Sequence, residues 1–232
     1  GLANTEAFGS GSVVLPQVVF EALGSGNQTS TQGVSTLSWG HDTDGGEDCF
    51  MLGYNAVGYQ NGSLTVDMYI GDTEFSYGIG GGNQFISANG FAIFLTLFGI
   101  WNPPPGLSTV KVVTTGTGTI TGIAGNSVTY KNVKSFTTNG YKSSASSANL
   151  SLNSVPLKHG ELASAAFASV DRVITGGFAT SGQNQRWAQN VTASIPMILG
   201  DAISDAAVNF AASMSAAERW GSIGVVLKPT TS

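Results

Sequence analysis

"SDAAVNFAASMSAAERW", residues 204–220, decides the fold class. Its alanines suit a helix, since alanine has the highest helix propensity. A one-sided helix, however, needs apolar residues to return every three or four positions. Here Val208, Phe210, Ala212 and Met214 alternate with Asn209, Ala211 and Ser213. That is period two, the mark of a strand with one face buried. A second alanine-rich segment, "ELASAAFASV" at 161–170, has no clean period and stays open between helix and strand.

Working outward, the rest of the chain agrees with strands. Charged residues make up 10% of the 232, against roughly 25% in ordinary globular proteins. Glycine contributes 32 residues, about twice the usual share. Ser, Thr, Asn and Gly compete with or loosen helical backbone but are tolerated in strands and turns. The 41% apolar share still allows a core. The net charge of −5, with nine Lys+Arg spread thinly, argues against direct nucleic-acid binding. One cysteine, Cys49, excludes an internal disulfide or a multi-cysteine zinc site and reads as a buried thiol. The longest apolar run, "FAIFLTLFGIW" at 91–101, is about half of the ~20 residues that a membrane helix needs, so no membrane insertion is expected. The N-terminus shows neither a basic nor a long apolar leader region, so no signal peptide is expected.

Strand signals recur every 10–20 residues. "SVVLPQVVF" (12–20) holds Pro16 and fits an edge strand. "VSTLSW" (34–39), "CFMLGYNAVGY" (49–59), "LTVDMYI" (64–70) and the central 91–101 run follow. "NPPPG" (102–106) should end that central strand and start a reversal, because prolines cannot donate to a ladder. "STVKVVTTGTG" (108–118) then resumes with Val110, Val112 and Thr114 on one face. "NSVTYKNVKSF" (126–136), "NVTASIPMILG" (190–200) and "RWGSIGVVLKP" (219–229) complete the set. "YKSSASSANLSLNS" (141–154) reads as a low-complexity connection, and "TSGQNQRWAQ" (180–189) as a loop. The expectation is an all-β protein: an N-terminal arm over 1–11, then a single antiparallel, jelly-roll-like β-sandwich of about a dozen strands over 12–232.

The order of certain segments resembles a known family. "STLSWGHDTDGGEDCFMLGYNAV", "MYIGDTEF", "FGIWNPPPGLSTVKVVTTG", "GNSVTYKNVKSF" and "AERWGSIGVVLKP" are similar, in that order, to minor tail proteins of actinobacterial phages, mycobacteriophages especially. The matched segments run from about residue 34 to 229. Ile70 and Asp72 depart from the family's usual Tyr and Gly in the second segment. The resemblance implies a virion structural protein, in the tail rather than the capsid, with a host-attachment or glycan-binding role. It supplies no catalytic residues. Capsid decoration and a tail-associated glycan-degrading enzyme are the alternatives. Expected partners are other virion proteins, further copies of the chain (a trimer by preference) and host-envelope glycans.

"WGHDTDGGEDCF" (39–50) packs Asp42, Asp44, Glu47 and Asp48 around His41. Counted from Asp42 as a calcium loop, the sixth position is Glu47 and the twelfth Gly53, where glycine and glutamate are required. It therefore reads as an acidic turn with a hydrogen-bonded structural histidine. A calcium site of another type, on Asp42, Asp44 and Asp48, is the rival reading. Glu6, Glu21, Glu47, Glu74, Glu161 and Glu218 stand singly, with no pairing pattern for glycoside hydrolysis. His41 and His159 have no nucleophile motif nearby, and no cofactor is expected. Trp39, Trp101 and Trp220 read as core. Tyr77, Tyr141 and Trp187 sit among Gly, Ser and Gln and are the candidate glycan- or receptor-binding residues, since sugars stack on exposed rings.

Overall fold

The computed structural model describes residues 16–86, 90–190 and 195–231; the expected arm over 1–11 lies outside them. The described residues are all-β, with seventeen antiparallel strand segments and no helix. Four segments are only two or three residues long: β2 (Asn27–Thr29), β6 (Thr73–Glu74), β7 (Tyr77–Gly78) and β12 (Ser135–Phe136). The chain up to residue 131 winds as a jelly roll. One sheet runs β1 (Val19–Leu23), β11 (Thr119–Lys131), β4 (Phe50–Gln60), β9 (Ala92–Trp101). It faces β3 (Thr36–Thr43), β10 (Gly106–Thr115), β5 (Thr65–Ile70), β6. The chain crosses between the two at β2–β3, β3–β4, β4–β5, β6–β7, β9–β10 and β10–β11, which gives the double Greek key of that architecture. β7 and β8 (Asn83–Ile86) extend the first sheet beyond β9.

The sandwich has more than two layers. A third sheet, in the order β12, β17 (Val208–Lys228), β14 (Leu162–Ser169), β16 (Met197–Ile203), β15 (Gln183–Gln189), covers the outer face of the β4 sheet. β13 (Tyr141–Val155) also runs along β17. The central sheet is therefore buried on both faces. Leu52, Tyr54, Leu95 and Leu97 face β14, β16 and β17, while Met51, Val57 and Ile100 face Met68, Val110 and Val112 inside the jelly roll. β13 and β17 form one ribbon that folds back on itself. Ser147 pairs with Glu218 and Asn149 with Ser213, a jump of five on β17 for two on β13. Beyond the bend, Leu152, Val208 and Phe210 lie over Phe167, Phe178 and Ile198 on the far face of the third sheet. The fold-back brings the Ser151 carbonyl to the Ser222 hydroxyl at 2.9 Å, although Ser222 is already paired with Ser143.

Local sequence explains these elements. The alternation at 208–214 is the ribbon's buried and exposed faces. "NPPPG" ends β9 at Trp101, and Asn102 and Gly106 take left-handed φ values of 50° and 92° where the chain reverses into the opposite sheet. Val110, Val112 and Thr114 share the buried face of β10. The 161–170 segment resolves as strand β14, buried along its whole length. Two readings are corrected. Residues 141–154 lie within the fifteen-residue strand β13, not a connection, and 183–189 is an edge strand, not a loop. The edge of β3 is closed locally: Ser25 N–H donates to the Gly40 carbonyl at 2.9 Å, and Asn27 Nδ2 to the Ser38 carbonyl at 2.9 Å.

Packing on the central sheet allows a direct test. The fully buried Phe50 ring lies over Gly99 of β9, and a methyl group there would sit 2.4 Å from it. Phe50 also packs against Trp101 and Phe136, with ring centroids at 4.5 and 4.8 Å. Gly99→Ala is therefore expected to cost about 1–3 kcal/mol in urea unfolding. Gly78→Ala, whose methyl would first meet Phe98 at 3.9 Å, should be close to neutral. Equal effects of the two changes would contradict this packing.

Candidate functional site

The acidic stretch folds into the end of β3 and a turn. His41 and Asp42 belong to the strand, and 44–49 forms the turn. His41 is 1% exposed. Trp39 Nε1–H donates to Ser127 Oγ at 2.9 Å, and Ser127 Oγ lies 2.7 Å from His41 Nδ1. His41 Nε2 lies 3.2 Å from Thr129 Oγ1, whose own proton goes to Glu21. That direction fixes the tautomer: Ser127 donates to Nδ1, and Nε2–H donates to Thr129. Glu21 also accepts from Thr43 Oγ1 at 2.6 Å and from Asp44 N–H at 3.0 Å.

Burial pushes the His41 imidazole down to about 4, against a weaker upward pull from Glu21 and Asp42. Burial pushes Glu21 up, but its hydrogen bonds from Thr129, Thr43 and Asp44 and the charge of Lys131 outweigh this and hold it below the usual range. A serine, a histidine and a carboxylate thus align, yet Ser127 and Thr129 are fully buried and offer no substrate an approach. Of the other acids, Asp44 lies 3.6 Å from Lys131 Nζ and Asp48 2.7 Å from Lys134 Nζ. Among the described residues no group of three or more His, Cys, Asp or Glu is placed to hold a metal. Chelator treatment should accordingly leave the melting temperature unchanged. A drop of several degrees, restored by calcium, would overturn the reading of 44–49 as a simple turn.

The three candidate aromatics do not converge. Tyr77 is 39% exposed at the start of β7, with its ring edge on Phe136 at 5.2 Å. Tyr141 is half-buried against the ribbon core and lines a small cavity of about 90 Å³ with Lys158, Glu161 and Lys228. Trp187 is half-buried on β15, over Gly26, where a Cβ would lie 2.8 Å from the indole. Tyr141 and Trp187 sit at opposite edges of the third sheet, four strand spacings or about 19 Å apart.

A concave site lies elsewhere, where β16 ends. Two adjoining cavities of about 400 and 260 Å³ share Ile203 and Ser204. The larger is lined by Thr180, Ser181, Gln183 and Asn209; the smaller by Gln17, His159 and Asp205. Ile203 is 49% exposed between them. The walls are fixed by side-chain bonds to backbone. Asn209 Oδ1 accepts Ser154 N–H at 2.8 Å, and Gln183 Nε2 donates to the Asn209 carbonyl at 2.9 Å. His159 Nδ1 meets Asp205 Oδ1 at 2.9 Å. Sequence reading missed this site because its residues come from four separate segments and include no aromatic ring. Comparison of the chain with protein-family models, with curated proteins and with solved structures found no match.

Proposed function

We propose that this chain is a non-enzymatic structural protein of a phage particle, a minor tail protein of the tip or fibre that helps hold the particle to the host envelope. The observation that carries the reading is the ordered set of family-like segments, read together with where they fall. "STLSWGHDTDGGEDCFMLGYNAV" spans β3, its turn and β4; "MYIGDTEF" spans β5 and β6. "FGIWNPPPGLSTVKVVTTG" spans β9 and β10, "GNSVTYKNVKSF" lies on β11 and β12, and "AERWGSIGVVLKP" on β17. The similarity thus follows the winding of the sandwich instead of gathering in one loop. A surface rich in hydroxyls and amides and poor in charge suits weak contact with hydrated glycans. Several copies in one particle raise the apparent affinity of such contacts by roughly 10²–10⁴. The partners in this reading are neighbouring virion proteins, further copies in a symmetric, preferably three-fold assembly, and host-envelope glycans.

Fitting the chain into a particle reconstruction tests the placement. Density at the tail tip or fibre is expected. Density on the capsid shell would replace the reading with decoration, and turnover of host polysaccharide by purified protein would replace it with an enzyme. A protein that is monomeric by light scattering and present singly in the particle would overturn the assembly.

A further inference from the structure

From the cleft astride Ile203, we propose that this protein binds a neutral, polyhydroxylated ligand, a saccharide residue, with Gln183 and Asn209 reading its hydroxyls and Ile203 carrying its C–H face. The proposal deepens the adhesion reading by naming a site and a ligand class.

Donors and acceptors decide the ligand class. Asn209 Oδ1 commits one of its two lone pairs to Ser154 N–H, which fixes the amide's orientation and leaves Nδ2–H as its readiest group for a ligand, a donor. Gln183 Nε2 gives one of its two hydrogens to the Asn209 carbonyl, which holds the amide in place and leaves Oε1 as an acceptor and the second N–H as a donor. Held donors and a held acceptor thus line the same cavity. A hydroxyl, which both donates and accepts, satisfies the two together. A carboxylate would meet the Gln183 oxygen as a second acceptor, and an ammonium would meet the Asn209 amide as a second donor. Thr180, Ser181 and Ser204 add hydroxyls of either sense to the same lining.

Charge points the same way. The larger cavity has no charged residue in its lining. In the smaller one the single carboxylate, Asp205, is already engaged by His159 Nδ1 at 2.9 Å. The volume of about 400 Å³ falls within the range of roughly 300–1,000 Å³ usual for small-molecule clefts. Ile203, half-exposed, supplies the apolar patch that a pyranose C–H face covers. The walls are already bonded, so binding orders few groups. Gly182, at φ +84°, sets the turn that brings Gln183 to the cleft, and its carbonyl accepts Ile203 N–H at 3.3 Å.

The test is a titration of the folded chain followed by backbone amide shifts in NMR. The probes are the methyl glycosides of glucose, galactose and mannose, with glucuronate as the charged counterpart. At least one neutral glycoside should shift the amides of 180–183 and 203–209, and glucuronate should shift them more weakly. Asn209→Asp keeps the oxygen that Ser154 needs and replaces the donor with an acceptor; it should weaken binding about tenfold or more while leaving the spectrum folded. Ile203→Ser should weaken it through loss of apolar contact alone. Silence from all three neutral probes, equal or stronger binding of glucuronate, or unchanged affinity in N209D would each overturn the proposal. None of these outcomes bears on the virion placement, which the particle reconstruction decides separately.

Discussion

Asp201→Ala should lower stability by about 3–5 kcal/mol, the largest effect expected of any single polar change in this protein. Asp201 is 1% exposed and sits on β16, between the central and third sheets. Its carboxylate accepts Arg186 Nε at 2.8 Å and Nη2 at 3.1 Å, and the Tyr130 hydroxyl at 2.9 Å. Tyr130 is fully buried, as is Tyr54, whose hydroxyl lies 2.9 Å from Ser164 Oγ; burial raises both phenols well above their usual range. The guanidinium of Arg186 also lies 4.0 Å over the Phe20 ring of β1. Removing the carboxylate leaves a largely covered cation and a buried hydroxyl without their acceptor, and that loss exceeds the value of the bonds themselves. For a chain of this length the melting temperature should fall by roughly 10 °C. Asp201→Asn, which keeps an acceptor oxygen, should cost less. The pair Arg186→Met with Asp201→Leu should recover much of the loss, because it removes the charges together. Urea unfolding measures all three variants. A loss under about 1 kcal/mol for Asp201→Ala would mean that water reaches the pair and that the two sheets do not depend on it.

The second large effect is a loss of stability in mild acid, centred on His41. In the folded protein its imidazole stays neutral down to about pH 4, whereas in the unfolded chain it takes a proton near 6.5. Between those values the unfolded state binds more protons, so stability falls as pH falls. At pH 7 and above the group contributes no such penalty. The slope should approach about 1.4 kcal/mol per pH unit inside the window, and the loss should level off at about 3 kcal/mol near pH 4. Glu21 acts in the same direction lower down: its carboxylate is held below its ordinary range, so its contribution is present above about pH 4.5 and lost as pH falls further. His41→Gln separates the two, since glutamine hydrogen-bonds without titrating. Denaturant midpoints at a series of pH values should be steep for the parent between pH 6.5 and 4 and shallow for the variant. Parallel curves would show that His41 is not the source.

What was legible in the sequence was whatever left a one-sided pattern. Val208, Phe210, Ala212 and Met214 alternate because one ribbon face is wet, and Val110 and Val112 do so because β10 lies on the outer sheet of the jelly roll. β14 resisted because both of its faces are covered, so "LASAAFAS" has no polar side to alternate with. β13 hid in serine and alanine because much of its length is half-exposed, with few large side chains to set a period. β15 looked like a loop because an edge strand tolerates "QNQRWAQ", and its arginine turns inward to a partner no local motif announces. The candidate sites failed in the same way. The His41 chain ends on Glu21, twenty residues earlier in sequence, and passes through Ser127 and Thr129, more than eighty residues later. The cleft at Ile203 joins residues from 17 to 209. Composition could announce the kind of surface, but only topology could say which amides meet.

The winding of the jelly roll also governs when this protein can exist during its own synthesis. β1 pairs with β11, Phe20 opposite Tyr130, so β1 lacks this sheet neighbour until more than a hundred further residues have emerged. β3 waits similarly for β10, with Trp39 opposite Val110. β4, apolar on both faces, must meanwhile be kept from other nascent chains. Such distant pairings slow folding to the millisecond-to-second range and expose unpaired edges while they wait. The Ser25 and Asn27 contacts along β3, made within fifteen residues, are among the few edge protections the growing chain can assemble early. A chain released before Thr119 would lack the strand that joins β1 to β4, and would enter the cell as an open sheet.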